Sequence, residues 1–194
     1  VLGIQNGTLA REKFKYYIVQ DYLYLEEYAK VFAIGIAKAK RLDTMRLFSR
    51  QVNFLTEGEM DIHRGYMGAF TVSQEELAAT PRALDNLSYT SYMLRVAYEE
   101  GEAEILAAIL SCAYSYEVIA KTILKNNPSA SEHPFYGNWI KGYAGPEFCD
   151  GNVVLLDTLN HLTSRYTEEQ LRHLTDIFLA CSRYELAFWE MAWN

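Results

Sequence analysis

Apolar residues in this chain recur every three to four positions and nowhere alternate with the period of two that a strand requires, which confines the chain to an all-α fold. Thr8 is placed to cap a helix from about Leu9 to about Lys40, with Phe14, Tyr17, Tyr24, Tyr28, Phe32 and Gly35 on one stripe. A second helix follows Asp43, with Phe48, Val52, Leu55, Ile62 and Tyr66 inward. Ser73-Gln74-Glu75-Glu76 reads as a capping box for a short third helix that Pro81 ends. Two helices over about 86–100 and 102–125 break at Gly101, and Asn126-Asn127-Pro128 closes the second. Helices over about 134–143 and 146–164 precede a capping box at Thr167-Glu168-Glu169-Gln170, which opens a last helix to about Trp193. Short connections between long amphipathic helices make antiparallel neighbours, hence a compact helical bundle without internal repeats.

The 194 residues, half of them apolar, suffice for one domain spanning 1–194. A net charge of −7, with no cluster of Lys and Arg interleaved with aromatics, argues against a nucleic-acid partner. Cys112, Cys149 and Cys181 are odd in number and widely spaced, which fits a reducing cytoplasm better than a disulfide scaffold. No uninterrupted apolar run approaches the roughly 20 residues of a membrane span, so no membrane association is expected. The abrupt opening at Val1-Leu2-Gly3-Ile4 suggests that a preceding helix is missing.

The informative residues are the polar ones on apolar stripes. Asp21 fills the gap in the stripe of the first long helix. Ile105, Ile109, Cys112, Tyr116, Ile119 and Ile123 put a thiol and a phenol one turn apart on a second inward face. In the last helix, Phe178, Cys181, Phe188 and Ala192 leave their central position to Glu185. A single cysteine in such a place is ordinarily a packed small hydrophobe, and a single inward carboxylate can be a satisfied structural group. Three helices each pointing a reactive group at the core is a pattern that packing alone does not call for, since an unpartnered buried carboxylate costs several kcal/mol. The set suits nucleophilic catalysis: a thiol as nucleophile, a carboxyl kept protonated by burial as acid, and phenols to orient a flat ring. No His lies on the cysteine's helix, which disfavours a Cys-His pair of the papain type.

Glu59 and His63 also share an inward face one turn apart, a spacing that could serve a carboxylate-bridged di-iron site. No second inward His-carboxylate pair is evident. The two therefore read as a structural hydrogen-bonded pair, with no metal and no cofactor expected.

Several separated segments in one order resemble thiaminase II, the TenA family of heme-oxygenase-like bundles. They are Gly7-Thr8-Leu9, Phe14-Lys15-Tyr16-Tyr17, Gln20-Asp21-Tyr22-Leu23-Tyr24, Ser88-Tyr89-Thr90, and Glu104-Ile105-Leu106-Ala107-Ala108 leading to Cys112. Later come His133-Pro134-Phe135-Tyr136, Trp139-Ile140, Tyr143, Tyr184-Glu185, Phe188-Trp189 and Met191-Ala192. The resemblance implies that Cys112 is the nucleophile and Glu185 the acid/base. It implies that Asp21 binds the aminopyrimidine edge and that Tyr24, Tyr89, Tyr116 and Tyr143 line the pocket. It further implies a small-molecule thiamine or aminopyrimidine substrate, a role in thiamine salvage, a homotetramer, and a family N-terminal helix that this chain lacks. Where the family often has Pro before the cysteine and Trp two residues after it, this chain has Ser111 and Tyr114. Two other classes remain open at this point: a di-iron oxidase, and a non-enzymatic regulatory or ligand-binding protein on the same fold.

Overall fold

A computed structural model describes residues 1–193, and among them every regular element is helical. In order these are α1 (Leu2–Gln5), α2 (Arg11–Lys38), α3 (Leu42–Phe54), a π-helical segment (Leu55–Glu59), α4 (Met60–Ala69), α5 (Gln74–Ala79), α6 (Leu84–Glu99), α7 (Glu102–Asn126), a 3-10 turn (Pro128–Glu132), α8 (Gly137–Ala144), α9 (Pro146–Leu162) and α10 (Glu168–Trp193). The axis of the bundle is α7, which packs against α2, α6, α8, α9 and α10, while α2 packs against α3, α4, α6 and α10. Small buried residues on α7, among them Ala103, Ala107, Ala108, Ala113 and Ala120, let neighbouring helices approach closely.

α7 is 25 residues long with a mean hydropathy of 1.4 over its most apolar window, so by length and composition it reaches a membrane span although Glu104 and Glu117 interrupt its apolar run. That window is 72% buried within the bundle. Its apolarity is thereby accounted for as the core of a domain.

Thr8 does not cap α2. Its N–H bonds to Gly3 O at 2.8 Å and the Gly7 N–H to Ile4 O at 3.1 Å, the paired bonds that close α1, with Gly7 in the left-handed region at φ 68°. A Cβ on Gly7 would also meet the His133 ring at 2.7 Å. Extended Ala10 takes the cap position of α2 without a side-chain bond. At Ser73, half of the expected box forms: Ser73 Oγ accepts from the Glu76 N–H at 3.0 Å, but the Glu76 carboxylate turns to Lys15 Nζ at 3.2 Å. At Thr167 both arms are present, Gln170 N–H to Thr167 Oγ1 at 3.3 Å and Thr167 N–H to Gln170 Oε1 at 2.9 Å.

The helix expected after Asp43 is interrupted. The π-helical segment inserts one additional residue into the turn, so Met60, His63, Tyr66 and Met67 face the core in α4. Ile62, expected inward, is displaced to a half-buried position near Gly142.

Candidate active site

Asp21, Cys112 and Glu185 are all buried, on α2, α7 and α10, and the mutual packing of these helices brings them to one level of the bundle. Their surroundings differ. Asp21 is held by three side chains: His63 Nε2 at 2.7 Å and the Tyr17 hydroxyl at 2.9 Å on Oδ2, and the Tyr116 hydroxyl at 3.3 Å on Oδ1. The Trp139 indole N–H donates to the Tyr17 oxygen at 3.0 Å, which commits the Tyr17 proton to the carboxylate. Trp189 stacks on Tyr17 with centroids 5.0 Å apart and planes 13° from parallel.

The two ring nitrogens of His63 are both engaged, Nε2 with Asp21 and Nδ1 with Glu59 O at 2.9 Å. Burial works to lower the His63 pKa, but the Asp21 carboxylate outweighs it and holds the imidazole above its ordinary value. Glu59 and His63 are thus linked through a backbone carbonyl. The Glu59 carboxylate instead accepts from the Tyr143 hydroxyl at 2.8 Å. With both imidazole nitrogens occupied, His63 has no lone pair to offer a metal, and among the described residues no three His, Cys, Asp or Glu side chains converge as a metal-binding set.

A cavity of about 320 Å³ opens beside Cys112, at the lower end of the range for small-molecule sites. Its wall includes Tyr28, Tyr116, Tyr143, Phe148, Glu59 and the Cys112 thiol. Tyr24 and Tyr89, expected on this wall, lie in a layer behind it. Tyr24 is one turn from Tyr28 and stacks on it at 5.3 Å, and Tyr89 packs on Tyr24 at 5.2 Å and on Tyr184 at 5.8 Å. The Tyr89 hydroxyl pairs with Ser111 Oγ at 3.0 Å, tying α6 to the residue before Cys112. Asp21 and Glu185 also lie behind the wall rather than on it. Tyr114 is half exposed, so its difference from the family residue does not touch the cavity.

Glu185 Oε1 is buried and accepts no hydrogen bond. Burial, with the nearby Asp21 charge second, pushes its carboxyl up to about 8. Burial, followed by the Glu185 charge, also pushes the Cys112 thiol well above its usual value. The two groups oppose each other's ionisation, so a proton stays in their neighbourhood at neutral pH. Glu59 is pushed up to about 7, again by burial, with His63 pulling the other way. Cys181 is an ordinary core thiol, fully buried and pushed up to about 12 by that burial.

The sequence profile of the TENA/THI-4/PQQC family matches residues 1–194. The chain belongs to this family. An aminopyrimidine aminohydrolase of Helicobacter pylori is 45% identical to it, the match covering 100% of this chain and 89% of that protein. A second aminopyrimidine aminohydrolase, from Halalkalibacterium halodurans, is 43% identical over 100% of this chain and 86% of its own. Among solved structures, a TenA family transcription regulator from Silicibacter sp. TM1040 superposes with a TM-score of 0.87 at 31% identity, covering 98% of this chain and 85% of that one.

In this TENA/THI-4/PQQC member, the residues the stripes did not single out for the site are Tyr17, Tyr28, Trp139 and Trp189. Tyr17 and Tyr28 stand on the same stripe as Asp21, four residues before it and seven after. An aromatic one or two turns from an inward carboxylate is the signal that marks them.

Proposed function

We propose that this chain is an aminopyrimidine aminohydrolase, thiaminase II, which hydrolyses the bond between a 2-methyl-4-aminopyrimidine's 5-methylene and its nitrogen leaving group. The observation that carries the reading is the juxtaposition of a cavity-facing thiol with a buried carboxyl that keeps its proton and has an unpaired oxygen, Cys112 and Glu185. The aromatic wall of Tyr28, Tyr116 and Tyr143 suits a flat heteroaromatic ring.

Displacement at the methylene by water is slow, and addition to the ring offers a lower path. The Cys112 sulfur bonds to the ring carbon next to the substituted position while Glu185 gives its proton to a ring nitrogen and takes up the thiol proton. The electron pair gained by the ring then expels the leaving group, producing an exocyclic methylene. Water adds there and gives up one proton, the equivalent of the one an amine leaving group takes up as it departs, or one released to solvent when a thiazole leaves. Glu185 then takes the ring-nitrogen proton while handing its own to sulfur, and the carbon–sulfur bond breaks to restore the aromatic ring and the thiol. The product is 4-amino-5-hydroxymethyl-2-methylpyrimidine. Asp21 acts on the substrate's amino group in this scheme, with Tyr24 and Tyr89 supporting the wall from behind.

The same reading makes the protein a cytoplasmic enzyme of thiamine salvage with no nucleic-acid or membrane partner, assembled as a homotetramer. Exposed Tyr114, Leu156, Leu171 and Leu179 on α7, α9 and α10 support subunit contacts on that side. Incubation with thiamine and with 4-amino-5-aminomethyl-2-methylpyrimidine, followed by chromatography, tests the activity. Absence of the hydroxymethyl product from both refutes it, and a monomer mass by light scattering refutes the assembly.

A further inference from the structure

Glu59 is a second carboxyl beside Cys112, and the scheme above leaves it unused. Unlike Glu185, it stands on the cavity wall together with the thiol. It is the last residue of the π-helical segment, and its placement is fixed from two sides. Its carbonyl accepts from His63, which is anchored on Asp21, and its Oε1 accepts from Tyr143. Its other oxygen has no hydrogen-bond partner among the described residues, and neither nearby cation forms an ion pair with it: His63 bonds its carbonyl and Asp21, and Arg50 stands elsewhere on the wall. Two further groups on the wall, Tyr143 and Tyr28, offer aromatic surface. A carboxyl with a free oxygen and no ion-pair partner, in a largely aromatic enclosure, is a place for a ligand's positive charge.

On the aminohydrolase reading, we infer that Glu59 binds the leaving group and carries its proton, and so favours substrates that leave as an amine over those that leave as a thiazole. A primary amine and a carboxyl share one proton, whether written as ammonium with carboxylate or amine with acid. When the carbon–nitrogen bond breaks, its electron pair goes to a nitrogen that holds this proton and departs as a neutral amine, leaving the Glu59 carboxylate. That carboxylate then takes a proton from the water that adds to the methylene. A thiazolium nitrogen has no N–H. It accepts the electron pair and leaves neutral without any proton transfer, so Glu59 offers it only charge attraction.

The two substrates pass through the same sulfur-bound methylene intermediate, whose hydration therefore cancels when they are compared. The ratio of kcat/KM for 4-amino-5-aminomethyl-2-methylpyrimidine to that for thiamine, measured on one enzyme sample, is also independent of how much of the sample is folded. Glu59→Gln cannot share the proton, and the ratio is expected to fall at least about 30-fold. A ratio within about threefold of wild type overturns the inference. If the Gln variant is inactive on both substrates, Glu59→Asp decides on the same criterion. That acid is withdrawn by one methylene, so the ratio is expected to fall by about tenfold, and an unchanged ratio again overturns the inference. Wild-type protein inactive on both substrates defeats the aminohydrolase reading itself. An active wild type, an inactive Cys112→Ser and an unchanged ratio defeat the role of Glu59 alone.

Discussion

Two of the buried carboxyl groups, Asp21 and Glu185, are in opposite condition. Asp21 is saturated, with His63, Tyr17 and Tyr116 all directed at its two oxygens, whereas Glu185 keeps an oxygen with no partner. Low dielectric makes the first arrangement rigid and stabilising and the second costly unless it stays protonated. The difference separates a carboxylate whose position the protein fixes by its own donors from one whose hydrogen-bonding capacity is unused within the fold.

The largest effect is expected between them, at the thiol. Cys112→Ser should lower turnover by at least about 100-fold with the fold intact, because serine without a strong base is a poor nucleophile. A variant retaining a tenth of wild-type rate contradicts covalent catalysis. Glu185→Gln keeps the shape and removes the transferable proton, and turnover should fall by about 100-fold with a much smaller change in affinity. Near-normal turnover with a lowered thermal midpoint would make Glu185 a structural group.

The saturated side should respond in stability. Asp21→Asn replaces an acceptor of three bonds with a neutral amide and leaves His63 without its counter-charge. The expected cost is about 2 kcal/mol, a midpoint lower by roughly 4–8 °C in calorimetry. Because Asp21 also meets the substrate's amino group in the proposed scheme, turnover should fall as well, and a folded variant with a lowered midpoint and normal turnover would leave Asp21 a structural carboxylate only. Cys181→Ala, in the same core but away from the cavity, should cost about 1 kcal/mol and leave kcat unchanged. Cys149→Ala should change neither kcat nor the fold, and loss of activity in either folded variant would reopen the choice of nucleophile.

Proton linkage sharpens the contrast further. The Glu185 carboxyl binds its proton more tightly folded than unfolded, so its contribution to stability is complete below its ordinary value of 4.5 and is lost as pH rises through about 8. Glu59, raised to about 7, acts in the same direction. The wild-type midpoint should therefore decline between about pH 5 and pH 9, and Glu185→Gln should decline less steeply. Equal slopes would mean that Glu185 titrates as an exposed carboxyl does.

Periodicity made α2, α7 and α10 legible, together with the inward direction of Asp21, Cys112 and Glu185, because a regular helix converts spacing directly into facing. What these residues touch was not legible in the same way. The bond from His63 to Asp21 joins positions 42 apart through the packing of α4 on α2. The π-helical segment has no residue signature of its own, since it depends on which of two helical registers the surrounding core accepts. Local chemistry misled at Thr8, a good N-cap residue that the closing turn of α1 had already claimed. Of the cavity wall, spacing alone marked Cys112, Tyr116 and Glu59 as inward groups, and the family resemblance added Tyr143 without separating Tyr116 and Tyr143 on the wall from Tyr24 and Tyr89 behind it.

The π-helical segment also bears on how this helix tolerates length changes. Removing one residue from Leu55–Glu59 would let α3 and α4 run on as a single regular α-helix, a locally better-bonded structure. Because the segment already absorbs its additional residue, α4 would keep its facing relative to α3 after the deletion, and only the wide turn itself would be lost. His63 would keep its side toward Asp21, while the wide turn that carries Glu59 to Tyr143 would close up. A one-residue deletion thus separates the two duties of this stretch, exchanging the wall position of Glu59 for a more regular helix while the buried His63–Asp21 pair stays in register.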